Sequence, residues 1–496
     1  MSKPGYSDTP VTVNTTQFLP LPNSPIEEDL ADQGKSAMPS SIEPQGTDIR
    51  SGIVGAISAD IVAAYLADDH PWVLGFSGGK DSTALLQLTY YALAKLPREK
   101  RSKRVYVLAS DTRVETPQIS ARIKKELELI QIAAERDALP LSTHLVFPKL
   151  NDTFWVNIIG RGYPSPTTHF RWCTDRLKIN PVSDFIRKVV DNLGEVIIIL
   201  GARKDESATR AQAMKRHEIQ GNRFRPHKDL LKAWVYTPIE DLTANEVWTY
   251  LLQVPSPWNG DNRGLVTLYK QASGECPLVI DTSTPSCGQS RFGCWTCTVV
   301  EKDKSMESLV DSGEQHLAPL LELRNYLCEV RDQPGARYDI RRNGTTPIRR
   351  GTDEVMTNTG PFTHERRMDI LRRVLEAQKE SGVTLIEGDE LSIIQEIWNK
   401  EEIRHPGKPD MPTDSVARVW KHVFKEAPMP GKDTSYDHLD KEDQLLRELC
   451  EQQGVPFEMM RRLRDIEEEF GHLKRRHGLP EEMRDAVRQE VSKKEA

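Results

Sequence analysis

Short apolar runs alternate with longer stretches of helical spacing between residues 53 and 200. The apolar runs predict strands at residues 72–76, 105–109, 144–147 and 195–200. Apolar residues three and four positions apart predict helices at residues 53–66, 82–96, 115–137 and 182–193. The fourth run is apolar on both faces, which is typical of a strand covered on both sides. The alternation predicts an α/β fold with a parallel sheet and helices on both faces.

The pattern differs outside this region. Residues 1–50 contain seven prolines and no cysteine or tryptophan, so they bury little apolar surface and we expect a disordered tail. Residues 254–302 are rich in glycine, proline, serine and cysteine and lack helical spacing. The other predicted regions are an α/β domain at 51–253, an arginine-rich helical region at 303–403, a linker at 404–436 and a charged helical tail at 437–496.

Composition limits the class of protein. The chain has 496 residues, of which 38% are hydrophobic and 28% are charged, and this excludes a fibrous or wholly disordered chain. A net charge of −7 excludes a polycation that grips nucleic acid over its whole surface. Seven cysteines are too few for a disulfide scaffold. Neither a secretory signal nor an apolar run of the ~20 residues that span a membrane is present. We therefore expect a cytoplasmic protein without membrane contact.

The strongest local motif lies between the first predicted strand and the helix that follows it. It consists of Ser77, Gly78, Gly79, Lys80, Asp81, Ser82 and Thr83. Glycines let backbone N–H groups approach phosphate oxygens, and a helix N-terminus adds partial positive charge. Lys80 would neutralise phosphate charge and Asp81 would help to hold Mg²⁺. The sequence matches neither a Walker A loop nor a dinucleotide fingerprint.

This phosphate loop, SGGKDS, resembles the PP-loop of the adenine nucleotide alpha-hydrolase-like proteins. Three further segments resemble the phosphoadenosine phosphosulfate (PAPS) reductase branch of that family: DTRVET at 111–116, RWCTDRLKINP at 171–181, and GARKDES with Arg210 at 201–210. The resemblance implies an adenine nucleotide alpha-hydrolase-like fold, and ATP cleaved between its alpha and beta phosphates. It also implies that Gly201, Arg203 and Arg210 assist the loop and that Asp111 lies near ATP, at the carboxyl end of the second strand.

Four cysteines lie within 22 residues in the pattern C-x10-C-x6-C-x2-C. They are Cys276, Cys287, Cys294 and Cys297. A segment with little apolar content needs a crosslink, which zinc or an iron–sulfur cluster supplies. Zinc sites usually contain two C-x2-C pairs and this segment contains one, so the spacing favours a [4Fe–4S] cluster over zinc or unligated thiols.

The wider segment at 286–306 resembles the DndC family, the sulfurtransferases of bacterial DNA phosphorothioation, a DNA modification linked to restriction–modification. That resemblance implies DNA as a partner, together with a cysteine desulfurase as donor of sulfur and cluster. It also implies an ATPase subunit and a small DNA-binding subunit of the same system. The reaction would adenylate a DNA phosphate with ATP and then replace a non-bridging oxygen with sulfur.

Cys173 stands apart from the four clustered cysteines. Arg171, Arg176 and Lys178 lie close to it in sequence, and nearby cations lower the pKa of a thiol. We expect a partly ionised Cys173 that carries or accepts sulfur, and with Asp111 and Lys80 it completes the predicted catalytic residues. The alternative is a small buried residue beside the phosphate loop.

Residues 331–376 contain ten arginines, no lysine and seven acidic residues. Because the arginine fork binds phosphate in a bidentate manner, this region is a candidate DNA contact. The candidate residues are Arg341, Arg342, Arg349, Arg350, Arg366 and Arg367. The alternative is a set of helix faces with surface ion pairs.

Two other classes of function remain open at this point. One is a different enzyme, either a PAPS reductase-like protein or a tRNA-thiolating PP-loop protein. The chain lacks the E-C-G-x-H segment that a PAPS reductase carries, and this argues against PAPS reduction. The other is a non-catalytic iron–sulfur scaffold subunit, against which the intact phosphate loop argues.

Overall fold

The structure is a computed structural model that describes most of the chain from residue 51 onward. The described residues are 51–206, 222–273, 293–341, 356–404, 415–425, 427–430, 438–471, 479–480, 483–484 and 486–488. The predicted tail at 1–50 lies outside them. The chain divides into two compact units. Of the described residues, the first contains those from 51 to Phe154 and those between 166 and 324, and the second contains residues 155–165 and those from Asn325 onward.

The first unit is built on a six-stranded sheet of order β3-β2-β1-β4-β6-β5. The strands are β1 (Trp72–Gly75), β2 (Val105–Ser110), β3 (Leu141–Val146), β4 (Val196–Ile199), β5 (Arg225–Pro226) and β6 (Ala233–Tyr236). All neighbours are parallel except β5 and β6, which are antiparallel. The predicted α/β class and parallel sheet are confirmed, with one short antiparallel strand added at the edge.

Helices make up most of the remaining regular structure among the described residues. They are α1 (Ser51–Tyr65), α2 (Lys80–Ala94), α3 (Pro117–Arg136), α4 (Asn180–Leu193), α5 (Ala244–Gln253), α6 (Asn262–Ser273), α7 (Lys304–Asp311), α8 (Ala318–Val330), α9 (His364–Ser381), α10 (Gly388–Arg404), α11 (Ser415–Phe424), α12 (His438–Gln453) and α13 (Phe457–Gly471). The described helices are all too short or too polar to cross a membrane.

Apolar side chains cover the sheet on both faces. Trp72 and Leu74 of β1 pack on one face in a cluster that includes Tyr65 of α1, whose ring meets that of Trp72 edge-on. Val73 points to the other face and packs with Phe185 of α4. All four residues of β4 are buried, as its continuous apolar sequence predicts. Successive side chains of β1 therefore point to opposite faces of the sheet, and helices cover both faces.

Several elements lie beyond the predicted pattern. The strand β6 has only four residues and the strand β5 only two, so neither presents a periodic apolar signal. The helix α5 starts at a capping box between Thr243 and Glu246, a T-x-x-E signal that the sequence does contain. The helix α6 contradicts the absence of helical spacing over 254–302, because Leu265 and Tyr269, one turn apart, are both buried.

The second unit is helical, as predicted for the C-terminal region. Residues 155–165 join it, since the Trp398 indole of α10 donates to the carbonyl of Ile159 at 3.0 Å. The helix α11 falls inside the predicted linker at 404–436 and carries the buried side chains of Val416 and Trp420. A linker was therefore the wrong prediction for residues 415–424.

Candidate active site

The phosphate loop, residues 77–83, runs from β1 into α2 at the carboxyl edge of the sheet. Gly78 has a φ of +70°, a conformation that favours glycine. Gly201, which follows β4, approaches this loop so closely that an added Cβ would lie 2.9 Å from the carbonyl carbon of Asp81. The loop thus requires glycine at position 78 for its backbone conformation and at position 201 for the close approach of the two segments.

The hydroxyl of Ser82 holds the loop in shape. The backbone amide of Ser77 donates to the Ser82 hydroxyl at 3.2 Å, and that hydroxyl donates to the carbonyl of Gly79 at 3.0 Å. The hydroxyl oxygens of Ser77 and Ser82 are 3.1 Å apart. The Ser77 side chain is nevertheless exposed, so it remains accessible to a ligand.

A buried arginine braces the first turn of α2. Arg203 is 2% exposed and its Nε donates to the Asp81 carboxylate at 2.6 Å, while Nη1 donates to the carbonyl of Leu242 at 3.2 Å. Lys80 Nζ reaches the other Asp81 oxygen at 3.0 Å. Arg203 therefore supports the loop through Asp81, and the predicted role of Asp81 in holding Mg²⁺ stays a prediction. Arg210 lies outside the described residues.

Asp111 follows β2 directly, at the same sheet edge as the phosphate loop, because β1 and β2 are parallel neighbours. Its carboxylate accepts hydrogen bonds from the amide of Arg113 at 2.8 Å and from the Ser120 hydroxyl at 2.8 Å. Lys124 Nζ lies 4.0 Å away. Asp111 thus shapes the turn between β2 and α3, and its catalytic role stays a prediction.

The cysteine segment pairs with the backbone just beyond β2. An isolated antiparallel bridge joins Glu115 and Cys294, and the amide of Trp295 donates to the carbonyl of Val114 at 2.9 Å. The amide of Cys297 then donates to the carbonyl of Cys294 at 3.0 Å. This turn places the C-x2-C pair against the segment that resembles the PAPS reductase branch.

Cys294 sits against two polar side chains. Its Sγ lies 3.2 Å from the Thr112 hydroxyl oxygen and 3.8 Å from a carboxylate oxygen of Glu115. Burial, together with the Glu115 charge, raises the pKa of the Cys294 thiol to about 12. Without a ligand the thiol is therefore protonated, and a metal is the kind of partner that binds such a sulfur as thiolate.

Cys173 lies near this pair, which the sequence did not predict. Burial, and after it the charge of Cys297, raises the pKa of the Cys173 thiol. The predicted lowering of this pKa is wrong because burial outweighs the cations, one of which is engaged elsewhere. Arg176 is buried and donates to Asp152 at 3.1 Å.

Lys178 completes this group of charges. Its Nζ lies 3.7 Å from the Glu115 carboxylate, and the charge that Cys294 carries as a thiolate, more than any other, raises the pKa of Lys178. The charges of Cys173 and Cys297 act in the same direction. Cys173 and the Cys294–Cys297 pair, which is distant from it in sequence, thus share one cationic neighbour.

The donor types fit a thiolate-bound cluster. Cys294 and Cys297 form a C-x2-C turn with Cys173 nearby, although no three such side chains in the described part of the chain are already arranged to hold a metal ion. Cys276 and Cys287 lie outside the described residues, so the predicted set of four ligands stays a prediction. Cys328 and Cys450 lie on helices α8 and α12, as expected of ordinary helical cysteines.

Arg324 is a supporting residue that carries no sequence signal. It is fully buried, and its guanidinium donates to the carbonyl of Cys297 at 3.1 Å and to that of Glu301 at 2.7 Å. These bonds hold the turn that contains the cysteine pair. A lone arginine in an amphipathic helix offers no pattern from which this role could be predicted.

In the second unit, the described arginines of α9 are buried or form ion pairs. Arg367 is 3% exposed and donates to the carbonyl of Gly160 at 2.7 Å, so its predicted DNA contact is wrong. Its neighbours on α9, Arg366, Arg372 and Arg373, pair with Asp369. On this helix the alternative of surface ion pairs is supported. Arg341 is exposed, and Arg342, Arg349 and Arg350 lie outside the described residues.

Comparison with known proteins gives one family match. The family model of the phosphoadenosine phosphosulfate reductase domain matches residues 71–300, which include the phosphate loop and the cysteine pair. An uncharacterized protein of Methanocaldococcus jannaschii is 25% identical over 236 residues, which are 47% of this chain and 37% of that protein. The match thus spans little more than a third of the relative's length.

Two solved structures are distantly similar. A PAPS reductase from Candida auris in a phosphate complex has 12% identity and a TM-score of 0.26, over 42% of this chain and 90% of its own. The U34-tRNA thiolase NcsA from Methanococcus maripaludis with its [4Fe–4S] cluster has 12% identity and a TM-score of 0.28, over 56% of this chain and 80% of its own. Both likenesses are too distant to bear on function. Residues 71–300 are thus similar to the phosphoadenosine phosphosulfate reductase domain, and the described part of the first unit has a mostly parallel α/β sheet.

Proposed function

We propose that this protein is a DNA phosphorothioation sulfurtransferase that uses ATP to activate a backbone phosphate and replaces a non-bridging oxygen with sulfur. One observation carries the proposal: Cys294 contacts Thr112 just beyond β2, and the phosphate loop follows β1, the parallel neighbour of β2. Thiols and a phosphate-binding loop thus share one edge of the sheet, where ligands of such folds bind.

The first step is adenylation. A non-bridging oxygen of the DNA phosphate attacks the alpha phosphorus of ATP, and pyrophosphate leaves with the bonding electron pair. The loop amides and the Ser77 hydroxyl would hold the departing pyrophosphate, and Lys80 would neutralise its charge. Arg203 keeps the loop in place through Asp81. Adenylation makes the attacking oxygen part of a good leaving group.

The second step brings in sulfur. A hydrosulfide or persulfide sulfur attacks the activated phosphorus, and AMP leaves with the former phosphate oxygen. With a persulfide, an external thiol must then cleave the S–S bond to leave the phosphorothioate. A [4Fe–4S] cluster held by Cys294 and Cys297 with further thiols would supply a thiophilic metal site. The cysteine desulfurase, the ATPase and the small DNA-binding subunit remain proposed partners.

Nucleoside analysis of a deletion strain tests the substrate. Sulfur should be missing from digested DNA and restored by the wild-type gene, but not by Ser77→Ala. Ser312→Ala is the control, because this serine is exposed and its hydroxyl donates to the carbonyl of Leu309 within its own turn at 3.0 Å. Loss of sulfur from tRNA with sulfur in DNA unchanged would instead support the tRNA-thiolating alternative.

The same strain separates two roles for Cys173. If Cys173 carries sulfur, Cys173→Ser should keep iron and ATP cleavage but lose DNA sulfur, because serine forms no persulfide. If Cys173 is a cluster ligand, as its closeness to Cys297 permits, iron content should fall as well. Iron and acid-labile sulfide in the purified variant distinguish the two outcomes.

A further inference from the structure

The phosphate loop is in contact with a side chain from a distant part of the first unit. The amide of Lys80 is the first of α2, and the first amides of a helix have no partner within that helix. Here the Tyr269 hydroxyl of α6 accepts a hydrogen bond from this amide at 3.3 Å. The phenol oxygen therefore lies at a donor that the loop would offer to a phosphate.

Other contacts hold the Tyr269 ring in this place. Its edge-on contact with Trp248 has a centroid distance of 5.0 Å, and Lys80 Nζ lies 5.5 Å from the centroid of its ring. A Cβ added to Gly79 would lie 3.2 Å from the hydroxyl, so the glycine leaves room for it. Tyr269 is 8% exposed. A buried phenol needs a polar partner, and the loop provides one.

The start of α6 is fixed to α2. The buried Asn262 amide donates to the Gln87 side-chain oxygen at 3.1 Å and to the carbonyl of Leu251 at 2.9 Å. Tyr269 is seven residues further on, which is about two helical turns. Because α6 is anchored at its first turn, the helix places the Tyr269 hydroxyl beside the loop before any ligand binds.

We propose that the Tyr269 hydroxyl occupies the place of a phosphate oxygen at the loop and that nucleotide binding displaces it. This inference rests on the proposed function, in which residues 77–83 bind ATP. A charged phosphate oxygen accepts a stronger hydrogen bond than a neutral phenol, and the helix N-terminus favours an anion. A neutral ligand would only exchange one weak acceptor for another. Tyr269 thus makes the loop selective for anionic ligands at a cost in affinity.

Calorimetric titration with inorganic pyrophosphate and Mg²⁺ tests this role. Tyr269→Phe removes the competing hydroxyl and keeps the ring, so pyrophosphate should bind about two- to tenfold more tightly, the worth of one net hydrogen bond. Tyr91→Phe is the matched control, since the Tyr91 hydroxyl donates to the carbonyl of Pro255 at 2.8 Å, and its affinity should equal that of the wild type.

If the wild type binds pyrophosphate and Tyr269→Phe binds it equally well or more weakly, the role of Tyr269 is overturned and the proposed function is not affected. Binding by neither protein overturns the nucleotide site and therefore the proposed function as well. A second measurement does not depend on the folding of a variant. With 3-fluorotyrosine at position 269, the ¹⁹F resonance should shift on titration with pyrophosphate, and a resonance that stays constant at saturation overturns displacement.

Discussion

The carboxylate of Asp81 accepts a hydrogen bond at 2.6 Å from Nε of Arg203, which lies 122 residues further along the chain. Asp81 belongs to the phosphate loop and Arg203 follows β4, so the pair joins the ends of two neighbouring strands. The side chain of Arg203 is 3% exposed and that of Asp81 is 16% exposed. The geometry of the loop therefore depends on a buried ion pair as well as on its glycines.

Removal of the Asp81 carboxylate should destabilise the first unit. Asp81→Ala leaves a buried guanidinium with Asp205 as its remaining carboxylate, and breaking a buried pair costs ~3–5 kcal/mol. Denaturant unfolding measures the loss. The control is Asp241→Ala, which removes a surface pair with Lys204 and should cost less than ~1 kcal/mol. Equal stability of the two variants would contradict the structural role of Asp81.

The Ser77 hydroxyl should matter for ATP cleavage and hardly at all for stability. Ser77→Ala removes an exposed group, so the free energy of unfolding should change by no more than ~0.5 kcal/mol. Pyrophosphate release from ATP should fall at least ~10-fold, in the range found when a transition-state hydrogen-bond donor is removed. Wild-type release rates in this variant would remove Ser77 from the site.

The cysteine pair should be required for iron. Cys294→Ser and Cys297→Ser each remove a candidate thiolate, so iron and the visible absorbance of protein purified without oxygen should decrease. Cys328→Ser is the control and should keep both, because this cysteine lies on α8 as an ordinary helical residue. Stoichiometric zinc without iron in the wild type would show that the predicted metal is wrong.

The Cys173 thiol should react slowly near neutral pH. Burial raises its pKa, so the thiolate fraction is small at pH 7 and grows only as the pH passes the usual range for thiols. In iron-free protein, alkylation of Cys173 by iodoacetamide should be slower than that of glutathione at pH 7. Its rate should continue to rise at a pH where that of glutathione levels off. Faster alkylation at pH 7 would restore the activated thiol that the sequence predicted.

His144 of β3 should make the stability of the first unit sensitive to acid. Burial against Tyr106 and Phe185 lowers the pKa of His144 from 6.5 to about 4. The unfolded chain then binds the proton more readily than the folded chain does. The contribution of neutral His144 to the free energy of unfolding is therefore complete above pH 6.5 and is lost as the pH falls towards 4.

Between pH 7 and pH 5 the loss from His144 should be about 2 kcal/mol. His144→Phe keeps an aromatic ring and removes the titrating group, so urea unfolding of this variant should depend less on pH over that interval. An equal pH dependence in the variant and the wild type would assign the effect to other groups.

Local features of the structure followed from the sequence. The apolar run 195–200 predicts β4 because a continuous apolar stretch is buried on both faces. The phosphate loop was predicted from glycines and hydroxyls between a strand and a helix, because these residue types lie within one short segment of the sequence. The strand β6 was missed because its four residues are too few to form a period, whereas α6 was missed although Leu265 and Tyr269 have helical spacing.

The tertiary structure alone decided how the chemical groups are paired and buried. Cys173 and Cys294 are 121 positions apart, and Tyr269 lies 189 positions from Lys80. Sequence proximity to arginines predicted an ionised Cys173 and a DNA-binding Arg367, and in both cases burial determined the outcome. A local pattern fixes which residues form a strand, a turn or a helix. The solvent exposure and the charge neighbours of a side chain depend on segments that meet it only when the chain has folded.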